Sequence, residues 1–204
     1  MPPPRITCLF HDTTTVTAWL NGATGRAFAG DLLVECGLQP ALGFVLNLET
    51  PPNYPGIAGL LGGADIGTLA HPSQQLPAPI ILAPGATVSR PAIRAALPLL
   101  RRPDDRLAAI TLLVPLSEAR GLGSALAVAE RFGIAWDAAA MPHEELVEFG
   151  RWLANERLIN DVNFAGLIPY TTAALEPAHA KRLTALLAPL AARAPRIHAT
   201  ITPV

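Results

Sequence analysis

The sequence predicts an α/β fold, Rossmann-like in type, with a mostly parallel sheet flanked by helices. Short apolar runs alternate with helix-like segments from about residue 79 to the C-terminus. Strands that alternate with amphipathic helices form parallel sheets, because each helix returns the chain to the same end of the sheet. The five apolar runs are residues 78–83, 107–116, 134–141, 162–168 and 196–204.

The composition indicates a large buried core and excludes some functions. Half of the 204 residues are hydrophobic, 15% are charged, and the net charge is −1. The apolar runs fall short of the roughly 20 residues that span a bilayer, and neither half carries the basic stripe of a nucleic-acid-binding protein. We expect a cytoplasmic protein with neither membrane nor nucleic-acid partners. Cys8 and Cys36 lie in apolar runs typical of buried free thiols.

The chain divides into two predicted parts, residues 1–78 and residues 79–204, which form either separate units or one compact domain. The polar, proline-bearing residues 71–79 indicate the connector between them. Residues 6–16 and 80–89 both run from an apolar strand into a small, threonine-bearing loop. This similarity raises the alternative that the first part is a degenerate half-repeat of the second.

The first part contains few clear elements. Residues 6–10 and 43–48 are apolar runs that predict buried strands, and residues 27–36 predict a helix that ends at Gly37. Residues 51–67 are rich in proline and glycine, which predicts a long loop or a short irregular helix. Such segments often act as lids or binding segments, and disorder is the alternative.

The second part shows helix signals between its strands. Ser89 is a predicted N-cap, and Ser117 is predicted to cap the next helix, which Gly133 ends before the following strand. His143 begins a third helix with two acidic residues in its first turn, and Pro177 opens a fourth. The final strand is predicted to lie at a sheet edge.

From APIILA through LAAITLLVPL and VNFAGLI to RIHATITPV, the order of elements in residues 79–204 resembles the universal stress protein family. The resemblance implies a five-stranded parallel sheet, a dimer formed through the last strand and, in many members, bound ATP. ATP-binding members end the first strand with Asp and follow the fourth with a glycine-rich loop. Here the first strand ends in Ala83-Pro84-Gly85, and residues 167–177 contain no glycine. The resemblance therefore implies no ATP site through the family motif.

The loops after the strands are the predicted site, because open α/β sheets bind ligands outside the carboxyl ends of their strands. Gly85, Thr87 and Ser89 follow one strand and open a helix. Their backbone N–H groups could hold a small anionic or nucleotide-like ligand. The alternative is that these residues only cap the helix. Tyr170 and Thr171 follow another strand and offer hydroxyl groups to the same ligand.

His11 and Asp12 form the most reactive-looking pair, because a carboxylate can orient an imidazole for acid–base chemistry. Adjacent strand residues point to opposite faces, so Asp12 as a helix cap and His11 as a loop residue is the alternative. His143 lacks the second His or Cys four residues on that a helical metal site needs. The sequence therefore identifies neither a metal site nor a cofactor.

These observations favour a non-catalytic, universal-stress-like regulatory or small-ligand-binding protein that forms a homodimer. One alternative is a small enzyme that acts on a phosphorylated or carboxylated metabolite through His11 and Asp12. A second is a protein-interaction module in which residues 51–67 dock a partner. The identity of the ligand and the choice between enzyme and binding protein are not encoded in a recognisable motif.

Overall fold

A computed structural model shows the arrangement of the predicted elements. It describes residues 2–11, 16–21, 26, 29–38, 41–85, 88–104, 106–137, 148–149, 152, 163–171, 181, 185 and 202–203. The helices predicted to begin at His143 and Pro177 lie mostly outside this range.

The described strands form one seven-stranded sheet in the order β3-β2-β4-β1-β5-β6-β7. Their bounds are β1 Arg5–His11, β2 Leu32–Glu35, β3 Ile80–Ile81, β4 Ala109–Pro115, β5 Arg131–Asp137, β6 Asn163–Thr171 and β7 Thr202–Pro203. Every strand pair is parallel. The predicted α/β class with a mostly parallel sheet is therefore confirmed, and the final strand lies at one edge of the described sheet.

Strands from both predicted parts of the chain share this sheet. β1 lies between β4 and β5, and β2 lies between β3 and β4. The division at residue 78 into two folding units stays a prediction. Strands from before and after residue 78 are hydrogen-bonded to each other in the sheet.

Short helices cover both faces of the sheet. The helices with described bounds are α1 Val16–Asn21, α2 Ala41–Val45, α3 Ile66–Leu69, α4 Arg90–Ala96 and α5 Ser124–Val128, with 3₁₀ helices Gly56–Gly62, Leu97–Arg101 and Leu116–Gly121. α1 and α2 pack with Leu9 and Leu113 on one face. α4 and α5 pack with Phe10 and Leu112 on the other. Successive strand residues thus pack into two separate hydrophobic clusters, one on each face of the sheet.

Two predicted elements of the first part are wrong. A predicted helix contains a strand, and a predicted strand begins as a helix. Residues 32–35 form β2 rather than part of a helix over 27–36, because β2 hydrogen-bonds to β3 on one side and β4 on the other. Residues 43–48 do not form a strand, since Ala41–Val45 is helical. Asn47 has φ +51° and the N–H of Leu48 donates to the carbonyl oxygen of Gly43, so the chain leaves the helix through a left-handed turn.

The proline- and glycine-rich residues 51–67 pack onto the sheet. They contain the 3₁₀ helix Gly56–Gly62 and the start of α3, which agrees with the short irregular helix among the predicted forms. Ile57 and Leu60 are buried in the same cluster as β4. Gly56 has φ +53°, and a Cβ there would lie 2.8 Å from the backbone nitrogen of Pro84. Glycine at this position allows the segment to approach the chain after β3 closely.

The helix predicted after Ser117 is also shorter than expected. The chain forms the 3₁₀ helix Leu116–Gly121 and then α5, and β5 begins at Arg131. Gly133, predicted to end the helix, is instead a buried residue within β5, beside a shift in the register with β6.

Candidate functional site

The strand order places a crevice at the carboxyl ends of β1 and β5. The chain leaves β1 towards β2 on one side and leaves β5 towards β6 on the other. Where the connections of adjacent strands diverge in this way, a crevice opens outside their carboxyl ends, and open α/β sheets bind ligands there. We call this region the β1/β5 crevice.

The last residues of these two strands are titratable and enclosed. His11 ends β1, lies in register with Ala135, and is 1% exposed. Asp137 ends β5 two residues beyond Ala135 and is 0% exposed. Because residues two apart on a strand share a face, His11 and Asp137 lie on the face of the sheet that α1 covers. Both residues therefore lie at the carboxyl ends of the two strands whose connections diverge.

Glu35, at the carboxyl end of β2, is a third buried titratable group on this face. Its Oε1 accepts a hydrogen bond from the N–H of Leu42, 2.8 Å away, and its Oε2 accepts one from the N–H of Ala83, 2.9 Å away. Burial raises the pKa of the Glu35 carboxyl to about 7, although the backbone hydrogen bonds act in the opposite direction. The carboxyl group therefore links the chain after β2 to the chain after β3.

Glu118 contributes a second carboxylate to the same end of the sheet. Both of its oxygens lie 3.1 Å from the N–H of Leu38, which donates to them. The charge of Glu118 also raises the pKa of Glu35. Both carboxylates at the β2 end of the sheet are therefore hydrogen-bonded by the backbone.

The structure separates the sequence-predicted site residues into two groups. Gly85 and Ser89 follow β3, whereas Tyr170 and Thr171 end β6. Five strand spacings separate β3 from β6, which corresponds to about 24 Å at ~4.8 Å per strand. Both groups lie at the carboxyl edge, but one small ligand cannot contact both. Tyr170 lies on β6 in register with Asp137 of β5.

Gly85 and Ser89 have local roles in the structure. The N–H of Gly85 donates to the carbonyl oxygen of Tyr54 at 3.0 Å, so this group of the predicted anion cradle is engaged. A Cβ on Gly85 would lie 2.5 Å from the carbonyl oxygen of Pro52. Ser89 is the N-cap residue of α4, and its side chain makes no capping hydrogen bond. Thr87 and Asp12 lie outside the described residues, and the ligand-binding roles of all these residues stay predictions.

Sequence reasoning missed Glu35 and Asp137, although both carried a signal. Each is a carboxylate within an otherwise apolar run, LLVEC and IAWDA. Glu35 was assigned to a helix, and Asp137 to the interior of a strand running to residue 141. Within the described part of the chain, no group of three or more His, Cys, Asp or Glu residues is placed to hold a metal ion. No described helix is both long and apolar enough to cross a membrane.

A seven-stranded parallel sheet in this order, with helices on both faces, is an α/β fold of the P-loop NTPase type. Several solved structures share this fold. Cobyrinic acid a,c-diamide synthase from Mycobacterium smegmatis has a TM-score of 0.62 and 17% identity, over 93% of this chain and 81% of that one. McdA from Cyanothece has a TM-score of 0.62 and 15% identity, over 95% of this chain and 84% of that one.

MinD from Pyrococcus horikoshii, solved with Mg-ADP, has a TM-score of 0.54 and 17% identity, over 82% of this chain and 70% of that one. The diamide synthase has also been solved with an ATP analogue and magnesium, and McdA as an ATP complex. At these identities the likeness establishes the fold alone. No protein-family model matches the sequence, and no curated protein matches it either.

The predicted resemblance to universal stress proteins is wrong. The structural neighbours include cobyrinic acid a,c-diamide synthase, McdA and MinD. The order of elements along residues 79–204 does not reveal this fold, because β1 and β2 insert between the strands of that part. The functional interpretation built on the resemblance is a non-catalytic universal-stress-like regulatory or ligand-binding protein that does not bind ATP through the family motif. It is wrong with the resemblance, since the solved neighbours include complexes with ATP, an ATP analogue and ADP.

Proposed function

We propose that the protein binds a nucleoside phosphate together with Mg²⁺ at the β1/β5 crevice. The observation that carries the proposal is the position of His11. It ends the central strand where the connections diverge, in a fold whose solved neighbours include complexes with ATP, an ATP analogue and ADP. Ligands of open parallel sheets bind at this point of the topology.

The residues of this chain do not fit hydrolysis by P-loop chemistry. A P-loop has the pattern GxxxxGK[ST] between a strand and a helix, and its lysine reaches the β- and γ-phosphates. After β1 this chain reads HDTTTV, and Lys181 is its only lysine. We therefore assign no hydrolytic step, and the proposal concerns binding.

The sequence supplies other groups for phosphate binding next to β1. Thr13, Thr14 and Thr15 follow the strand and offer hydroxyl and N–H donors. Mg²⁺ binds through one or two carboxylates together with phosphate oxygens and water, and Asp12 and Asp137 are the carboxylates at this point. Since the sequence directly after β1 contains no Lys or Arg, we expect Mg²⁺ to neutralise most of the phosphate charge. We expect nucleotide binding to depend strongly on Mg²⁺.

Isothermal titration calorimetry with ATP, ADP and GTP tests the proposal. We expect saturable binding of at least one nucleotide with Mg²⁺, and a loss of more than about tenfold in affinity when EDTA removes the metal. No binding of any of the three at millimolar concentration would overturn the proposal.

A variant set locates the site. Replacing Thr13, Thr14 and Thr15 together by Val keeps their shape, removes three hydroxyl groups, and should weaken binding at least tenfold. Thr50→Val is the matched control, because Thr50 lies outside the crevice in the chain that follows α2. Asp137→Asn should reduce the Mg²⁺ dependence. Asp31→Asn is its control at the amino end of β2, and equal effects of the two would place the site elsewhere.

A homodimer is the second part of the proposal. Phe44 on α2 is 90% exposed and the adjacent Val45 is 43% exposed. Apolar side chains exposed together favour association. Light scattering should show a dimer that Phe44→Ser weakens, whereas Leu61→Ser, at an exposed apolar residue of another helix, should leave it intact. A chain that is monomeric at all concentrations would contradict this part.

A further inference from the structure

Glu35 joins two segments that follow different strands. Its Oε1 accepts the N–H of Leu42 in α2, and its Oε2 accepts the N–H of Ala83, directly after β3. The side chain is 1% exposed, so water does not compete for these hydrogen bonds. Each carboxyl oxygen therefore holds one segment, and the geometry depends on both oxygens accepting.

The surroundings of Glu35 do not balance a negative charge. The titratable groups that face it are the carboxylate of Glu118, the phenol of Tyr54 and the thiol of Cys36. Among the described residues, no Lys, Arg or His forms an ion pair with Glu35. His71, whose ring contacts Tyr54 with centroids 5.2 Å apart, is the nearby imidazole on the same side. A charge buried without a cation is costly, so a proton binds readily.

We propose that Glu35 is a proton-controlled latch that holds α2 and the chain after β3 together at the carboxyl edge. In the ionised form both oxygens accept, as in the structure. When a proton from solvent binds one oxygen, that oxygen carries an O–H and no longer accepts in the same way. The hydrogen bond from the N–H of either Leu42 or Ala83 then weakens, because a hydroxyl oxygen is a poorer acceptor than a carboxylate oxygen, and one of the two segments is held less tightly.

The latch operates near neutral pH, because burial raises the pKa of Glu35 to about 7. Gly85 N–H donates to Tyr54 and Leu38 N–H donates to Glu118, so neighbouring segments stay anchored when Glu35 is protonated. Protonation therefore changes the positions of α2 and residue 83 locally. The Glu35 latch does not depend on the proposed nucleotide binding, so an experiment can contradict either proposal without affecting the other.

Solution NMR of the full chain tests the latch. The amide signals of Leu42 and Ala83 should shift together between about pH 6 and pH 8, with one midpoint. In Glu35→Gln, which cannot ionise, these shifts should disappear. Shifts that persist in Glu35→Gln would assign the change to His71 or His11 and overturn the proposal.

Two further measurements keep the test decisive if Glu35→Gln does not fold. The side-chain carboxyl carbon of Glu35 in the unmodified protein should titrate with the same midpoint as the two amides, and a midpoint below about pH 5 would overturn the proposal. Glu118→Gln removes the neighbouring charge and should lower that midpoint. An unchanged midpoint would contradict the described surroundings of the latch.

Discussion

The two ends of the carboxyl edge use buried polar residues differently. At the β2 and β3 end, the carboxylates of Glu35 and Glu118 accept backbone N–H groups, and they hold the chain in place. At the β1/β5 crevice, His11 and Asp137 end two strands whose connections diverge. The first end is defined by its contacts and the second by its place in the topology. The roles of Glu35 and Glu118 thus rest on observed hydrogen bonds, whereas the role of His11 and Asp137 stays a proposal that rests on the strand order.

Glycine substitutions test whether the β2 and β3 end is structural, and they have the largest expected effect. Gly56→Ala should lower the free energy of unfolding by about 3 kcal/mol, because it combines a positive φ with a Cβ placed against backbone atoms. Gly63 also has a positive φ, +82°, but its Cβ would meet nothing within 4 Å. Gly63→Ala should therefore cost about 1 kcal/mol.

Gly62→Ala completes this series as the control. No atom lies within 4 Å of its Cβ position, so its effect should stay within about 0.5 kcal/mol. Urea denaturation of the three variants measures the differences. Equal losses for Gly56→Ala and Gly62→Ala would show that residues 51–67 do not pack against the chain after β3.

The pH dependence of stability tests the buried carboxylate at the β2 and β3 end. Its expected effect is somewhat smaller than that of Gly56→Ala. The pKa of Glu35 is about 7 in the folded protein against 4.5 for the free group. A raised pKa adds stability that is complete below the lower value and is lost as pH rises through the higher one. Between pH 5 and pH 8, the free energy of unfolding should fall by about 2.5 kcal/mol because Glu35 ionises.

Glu35→Gln provides the reference for that measurement. Denaturant titrations at several pH values should show the free energy of unfolding falling with pH in the unmodified protein and not in the variant. Because both proteins contain the same histidines, the difference between them reports Glu35 alone. Glu49→Gln, at an exposed residue of the same type, should behave as the unmodified protein does. A difference between Glu35→Gln and the unmodified protein that does not change with pH would contradict the raised pKa.

The smallest effect concerns Ser89. Its side chain makes no capping hydrogen bond, so Ser89→Ala should change stability by less than about 0.5 kcal/mol. Asp65 caps α3 and accepts the N–H of Gly67 at 2.7 Å, so Asp65→Ala should cost about 1 kcal/mol. Thermal denaturation of both variants measures these losses of stability. A larger loss for Ser89→Ala than for Asp65→Ala would indicate that the Ser89 side chain caps α4 as predicted.

The sequence predicted most strands of the second part because their apolar runs are long or sharply bounded. β3 and β4 fall inside residues 78–83 and 107–116. β2 was misassigned because a run of four buried residues has no helical or strand period of its own. Its conformation is decided by pairing with β3 and β4, contacts that are distant in sequence and absent from any local pattern.

The sequence pattern predicts a site at the carboxyl edge, and that site stays a prediction, whereas the buried carboxylates Glu35 and Asp137 near this edge were not predicted. The carboxyl edge and His11 follow from the alternation of strands and helices. The sequence pattern does not single out Glu35, because it predicts a helix where β2 forms. It does not show the separation of Gly85 from Tyr170 either, because β2, β4, β1 and β5 all lie between their strands. The spatial order of strands, rather than their identity, was the information that the sequence pattern lacked.

The central place of β1 has a consequence for how the chain is made. Residues 5–11 form a ladder with residues 109–115, and residues 7–11 form one with residues 131–135. β1 is therefore synthesised about a hundred residues before the strands that pair with it. At typical synthesis rates this takes on the order of ten seconds. During that time an apolar segment that includes Leu9 and Phe10 is without its native partners. Folding of this sheet is therefore expected to be slow and to depend on protection of β1 during synthesis.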